Sequence, residues 1–97
     1  MVNAVRIHPS DNVATVTAPL KRGDRAVYLD PAGNEISTVL ENDIPVYHKY
    51  ALRPISQGEA IVKYGEHIGA ASQDISAGQH VHTHNVCGKR ENLRDRG

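Results

Sequence analysis

The stretch DISAGQHVHTHN, residues 74–85, decides how this chain is read, because its skeleton occurs twice more. PLKRGDRAVYLD starts at Pro19 and PISQGEAIVKYG at Pro54. Each copy runs Pro or Asp, an aliphatic residue, two variable positions, Gly, two more residues and then a strand-like run. The pattern describes a turn whose Gly takes a backbone conformation closed to other residues and which launches a strand. Three copies in 97 residues are too few and too irregular for a solenoid. They predict a compact domain folded from similar hairpin units.

Working outward, β-rich runs appear throughout: VNAVRI, VATVT, RAVYL, ISTVL, HKYAL, EAIVKY and QHVHTH. Turn residues separate them at intervals of about 8–12 positions, the spacing of small all-β domains. DPAGNE at 30–35 reads as a hairpin turn, with Pro31 presetting φ and Gly33 and Asn34 tolerating positive φ; HPSDN at 8–12 reads as a second turn. Val and Ile together number 17 against 5 Leu, and β-branched side chains fit pleated surfaces better than helices. With no Trp or Phe and four Tyr, the core has to be aliphatic. The prediction is one all-β domain over residues 1–88. From residue 89 the chain turns polar, with four basic and two acidic residues and Leu93 as its single aliphatic, so 89–97 is predicted as a tail or the start of a linker.

Eleven basic and eleven acidic residues give a net charge of zero, which leaves no basic stripe for nucleic acid or an anionic membrane. No apolar run approaches the roughly 20 residues of a membrane span, and MVNAVRIHPSDN lacks the apolar centre of a signal peptide. Cys87 is alone and can form no internal disulfide. Together these features predict a cytoplasmic protein.

Three of the six histidines, His80, His82 and His84, fall within five residues. On a strand they would point to one face, about 6.6–7 Å apart along the backbone. Such a row is either the exposed face of a polar edge strand or a site. Imidazoles without acidic partners suit zinc, iron, copper or nickel rather than magnesium or calcium. In VYHKYAL, His48 and Tyr50 would face one side and Lys49 and Ala51 the other, and a His-Lys pair can supply a base and an anion contact.

IHPSDNVA at 7–14, HKYALRPISQGEAIVKYGEHIGAA at 48–71 and DISAGQHVHTHN at 74–85 together resemble the small N-terminal segment of altronate dehydratases. The wider group includes galactarate dehydratase and sulfolactate sulfo-lyase. The resemblance runs in order over about 80 of the 97 residues. It implies a SAF-type domain with a β-clip fold, and a β-elimination on a sugar acid that depends on a divalent metal, usually ferrous iron, with zinc or manganese as alternatives.

The resemblance carries over His48, Lys49 and His82 as catalytic residues. Asp11, Asn12, Lys49 and Asn85 would contact substrate, and His8, His80, His82 and His84 would bind metal. It further implies a large catalytic subunit or domain as partner, without which this chain would not turn over substrate; a homodimer through strand pairing is a second possible assembly. Altronate dehydratase is the leading identity for the reaction. The alternatives are the sulfo-lyase α subunit and a non-catalytic module that binds sugars or sugar acids. In one respect the chain departs from the family, which usually has Gly before the His-Lys pair where Tyr47 stands here.

Overall fold

The computed structural model describes residues 2–88; the predicted tail at 89–97 lies outside the described residues. Among the described residues there are nine short strands and no helix, as the composition predicts. They are β1 (Ala4–Val5), β2 (Val13–Val16), β3 (Arg25–Leu29), β4 (Glu35–Val39), β5 (Lys49–Ala51), β6 (Ala60–Lys63), β7 (Glu66–Ala71), β8 (His80–Val81) and β9 (Val86–Gly88). All pairings are antiparallel, in a central sheet β1-β2-β5-β8, a hairpin β3-β4 and a sheet β6-β7-β9.

The inner strands of the central sheet, β2 and β5, bury apolar side chains on both faces. Successive side chains point to opposite sides of a strand, and the register pairs Val13 with Ala51 and Ala14 with Tyr50. Ala14, Val16 and Tyr50 pack with Tyr28, Leu40 and Ile44 in one cluster. Val13, Ala51 and Val81 pack with Ile55, Ile61, Ala71 and Ile75 in the other. β2 lies between two cores with little solvent face, which is why VATV reads as nearly continuous apolar sequence.

The recurring skeleton builds the turns as predicted, and the structure adds a fourth copy, Asp43–His48. In each copy the residue after the glycine position donates its backbone N–H three residues back: Asp24 to Lys21, His48 to Pro45, Glu59 to Ser56 and Gln79 to Ser76, at 2.9–3.1 Å. Gly23, Gly58 and Gly78 hold φ of +90°, +87° and +84°, and Tyr47 takes the same place at +67°. Tyr47 therefore keeps the turn that a glycine would make, and its side chain disguised the copy in the sequence. At Gly78 a side chain is also excluded by space, since a Cβ would stand 2.2 Å from the Val39 carbonyl oxygen.

The four turns pair two by two. Leu20 bridges to Ile44 and Ile55 to Ile75. The Asp43 carboxylate accepts from the Arg22 N–H at 2.9 Å, as Asp74 accepts from Gln57 at 2.8 Å. The chain is thus two similar halves, each a turn, a hairpin and a second turn, one around β3-β4 and the other around β6-β7.

The strand runs are shorter than the sequence predicts. QHVHTH contributes only His80 and Val81; His82–Asn85 is a turn leading into β9. Asn85, fully buried, closes it by accepting the His82 N–H at 3.0 Å and donating its amide to the His80 carbonyl at 2.8 Å. Asn85 thereby offers the backbone an alternative to the strand ladder, as short polar side chains do. His80, His82 and His84 are therefore not a single strand row.

Candidate functional site

His48 ends the fourth turn, immediately before β5, and His80 opens β8. Because Tyr50 and His80 are antiparallel register partners, continuing the register sets His48 opposite the position of His82 and diagonal to His80, at one end of the sheet. Nδ1 of His48 and Nε2 of His80 are 2.9 Å apart, so one ring carries a proton and donates it to the other. His82 stacks on His48 with ring centroids 4.4 Å apart, and lies parallel to His80 within 7° at 5.6 Å. One nitrogen from each of the three rings lies within 4.8 Å of the others. The His80 backbone is fixed on both sides, its N–H donating to Asn42 Oδ1 at 2.9 Å and its carbonyl accepting from Asn85.

The electrostatics favour the neutral forms of His80 and His82. Burial, followed by the neighbouring His48, His84, His82 and Lys49, pushes the His80 imidazole down to about 4. His82 is lowered by the same kind of desolvation and then by His48 and Lys49. Lys49, half-buried, is lowered by burial first and by Lys63 second. Among the described residues no carboxylate lies within ion-pair distance of Lys49. Lys49 and His82 share the wall of an open pocket of about 390 Å³ with Ile68, Thr83, Val86 and Gly88.

The other predicted residues take different places. His84 reaches His80 only as a tilted ring at 5.3 Å and stays outside the group of converging nitrogens, because the turn at 82–85 redirects it. His8 is also outside that group. Its Nδ1 accepts from the Ser10 hydroxyl at 2.7 Å and the Ser10 N–H at 3.1 Å, and its ring packs against Gly65. Asp11, buried, ties the 8–12 turn to the β6-β7 tip by accepting the N–H groups of His8, Tyr64 and Gly65 at 3.1, 3.1 and 2.8 Å. Asn12, also buried, spans the β6 bulge, accepting from Val62 at 2.8 Å and donating to the Ala60 carbonyl at 2.9 Å. The side chains of Asp11, Asn12 and Asn85 are thus engaged by backbone groups.

No motif singles out Asn42, whose side chain acts on a residue 38 positions away. His48, read from the sequence as a catalytic residue, joins the converging nitrogens in place of His84.

The donor set fits a transition metal. Imidazole nitrogens bond such ions at about 2.0–2.2 Å, so adjacent ligands sit about 3 Å apart. The 2.9 Å contact between His48 and His80 already has that spacing. Binding requires neutral rings, which is the state that burial favours at His80 and His82. Three nitrogens and no carboxylate make a poor site for magnesium or calcium.

Comparison with known proteins places this geometry in context. Residues 2–89 match the family described as the altronate/galactarate dehydratase SAF domain. An altronate dehydratase of Bacillus subtilis (strain 168) is 41% identical over 95 residues, which cover 98% of this chain and 18% of that enzyme. An altronate dehydratase of Escherichia coli (strain K12) is 44% identical over 91 residues, 94% of this chain and 17% of the enzyme. The (2R)-sulfolactate sulfo-lyase subunit alpha of Paracoccus pantotrophus is 48% identical over 48 residues, half of this chain and 72% of that subunit. This chain therefore spans less than a fifth of the length of the altronate dehydratases it matches.

Proposed function

This chain belongs to the SAF-domain family of altronate and galactarate dehydratases, and on that premise we propose that it serves as the small domain or subunit of a metal-dependent altronate dehydratase. The reaction is a β-elimination: a proton leaves the carbon next to the carboxylate, the neighbouring hydroxyl departs as water, and the enol becomes a 2-keto-3-deoxy acid. The observation that carries this reading is the convergence of His48, His80 and His82 beside Lys49 and an open pocket.

His48 and His80, whose facing nitrogens stand 2.9 Å apart, would hold the metal, and His82 beside them is left free for the proton. A bound divalent ion, ferrous iron foremost and zinc or manganese as alternatives, supplies positive charge against the enediolate. Lys49 binds the substrate carboxylate, since a half-buried ammonium without an acidic neighbour among the described residues is stabilised by an incoming anion. His82, on the pocket wall, is placed to take or return a proton as a neutral imidazole. The remaining groups come from a larger partner domain or subunit, in keeping with the 17–18% of the altronate dehydratases that this chain matches. The setting is cytoplasmic, and among the described residues no helix is long and apolar enough to cross a membrane.

A second reading, the alpha subunit of a sulfolactate sulfo-lyase, is favoured by the match to 72% of that short subunit. The two are separated by substituting this chain for the matching segment of the Bacillus subtilis altronate dehydratase, and separately for the Paracoccus pantotrophus alpha subunit. Each hybrid is assayed anaerobically with ferrous iron on the substrate its parent is named for. Altronate turnover by the first hybrid is expected, with a loss of about 10²–10⁴-fold in its His82→Ala variant. A folded but inactive first hybrid, beside an active parent enzyme, would sink the dehydratase reading.

A further inference from the structure

The four sister turns differ in one respect that bears on the imidazole cluster. In three of them the side chain of the last turn residue is held by the backbone N–H three residues earlier. Asp24 accepts from Lys21 at 2.9 Å, Glu59 from Ser56 at 3.0 Å and Gln79 from Ser76 at 2.9 Å. His48 stands at the equivalent place in the fourth turn, where the earlier residue is Pro45. Proline has no N–H to give. The backbone bond of the turn is kept, from the His48 N–H to the Pro45 carbonyl at 3.0 Å, but the side-chain bond cannot form.

We propose that Pro45 is a positioning residue: by removing the amide donor that captures the side chain in the sister turns, it releases the His48 imidazole to meet His80 and His82. Nδ1 of a histidine can accept from a backbone amide at close range, as His8 does from the Ser10 N–H in this same chain. With an N–H at position 45, His48 Nδ1 would have the partner that its three counterparts have. The atom so captured is the one that now lies 2.9 Å from His80 Nε2. Pro45 is exposed, so no packing explains its presence at this position. The proposal bears on the same cluster as the proposed function, and its test is chosen to fail separately.

Pro45→Ser introduces the residue found at the same place in the two later sister turns, Ser56 and Ser76. Pro45→Ala restores the amide without a hydroxyl, and Pro54→Ser serves as a control for losing a proline elsewhere. The full chain is titrated with cobalt(II), and contacts between the His48 and His80 rings are read by NMR without metal. Both Pro45 variants are expected to lose the His48–His80 ring contacts and at least tenfold in cobalt affinity, with Pro54→Ser unchanged. Retention of the ring contacts in the folded Pro45 variants would overturn the proposal, whatever the affinity does. Should the parent chain bind no cobalt, the metal reading fails, and the ring contacts alone decide the role of Pro45.

Discussion

At the level of single residues, the chain places several polar groups where water is scarce. The Tyr50 hydroxyl is fully buried, finds no hydrogen-bond partner among the described residues, and is pushed up in pKa by burial and by Tyr28. A buried donor without a partner carries a desolvation penalty of about 1–3 kcal/mol. Tyr50→Phe is therefore expected to leave the fold intact and raise the melting temperature; a clear fall would reveal a partner for the hydroxyl. His80 gives a pH dependence with a definite sign. Its folded-state value of about 4 lies below the ordinary imidazole value of 6.5, so the unfolded chain takes up the proton first as the pH falls. In metal-free protein this contribution is intact above pH 6.5 and is lost progressively towards pH 4. Urea unfolding at several pH values should show that decline, and a His80→Gln variant should show a flatter one.

Among the elements, the turns carry the specificity. One design is used four times, and two of the positions where Asp43–His48 differs from its sisters, Pro45 and Tyr47, lie within three residues of His48. Tyr47 has a φ of +67° and is 72% exposed, so buried contacts do little to offset its backbone conformation. A left-handed conformation at a residue with a Cβ costs about 1–2 kcal/mol. Tyr47→Gly should consequently stabilise the isolated chain by about 1 kcal/mol, read as a higher urea midpoint with an unchanged slope. An unchanged or lower midpoint would show that the tyrosine side chain contributes contacts of its own. The turn at 82–85 acts in the opposite sense. It ends β8 after two residues, so that His82 stacks on His48 while His84 meets only the His80 ring, at a tilt.

For the molecule as a whole, the two apolar clusters are coupled because β2 and β5 contribute to both. Damage on one side is therefore felt on the other, and unfolding should be a single cooperative transition. Ile55 is buried in the second cluster and bridges to Ile75 across the paired turns. Ile55→Ala should cost about 2–5 kcal/mol through lost burial and the cavity left behind. For a domain of this size that is a large share of the total stability. Calorimetry should show one lowered transition, and two separate transitions would refute the coupling.

How much of this was legible beforehand follows from the range of the interactions involved. The β-branched composition, the turn residues and the spacing of Gly23, Gly58 and Gly78 act over a few residues, so the all-β class and three of the four turns could be read directly. Tyr47 hid the fourth, because its role is visible only as a φ angle. The histidine-rich run supplies two of the three converging imidazoles, and the third lies far from it in sequence. His48 lies 32 positions from His80, and only the β5-β8 register brings the two rings together. In the same way Asp11, Asn12 and Asn85, all polar and all in motifs that resemble a known family, turned out to be held by backbone amides and carbonyls. Local sequence set the repeating turn and the strand bias, because both are short-range properties of the backbone. Which imidazoles converge was decided by strand pairing, a long-range choice made when two apolar cores close on one sheet.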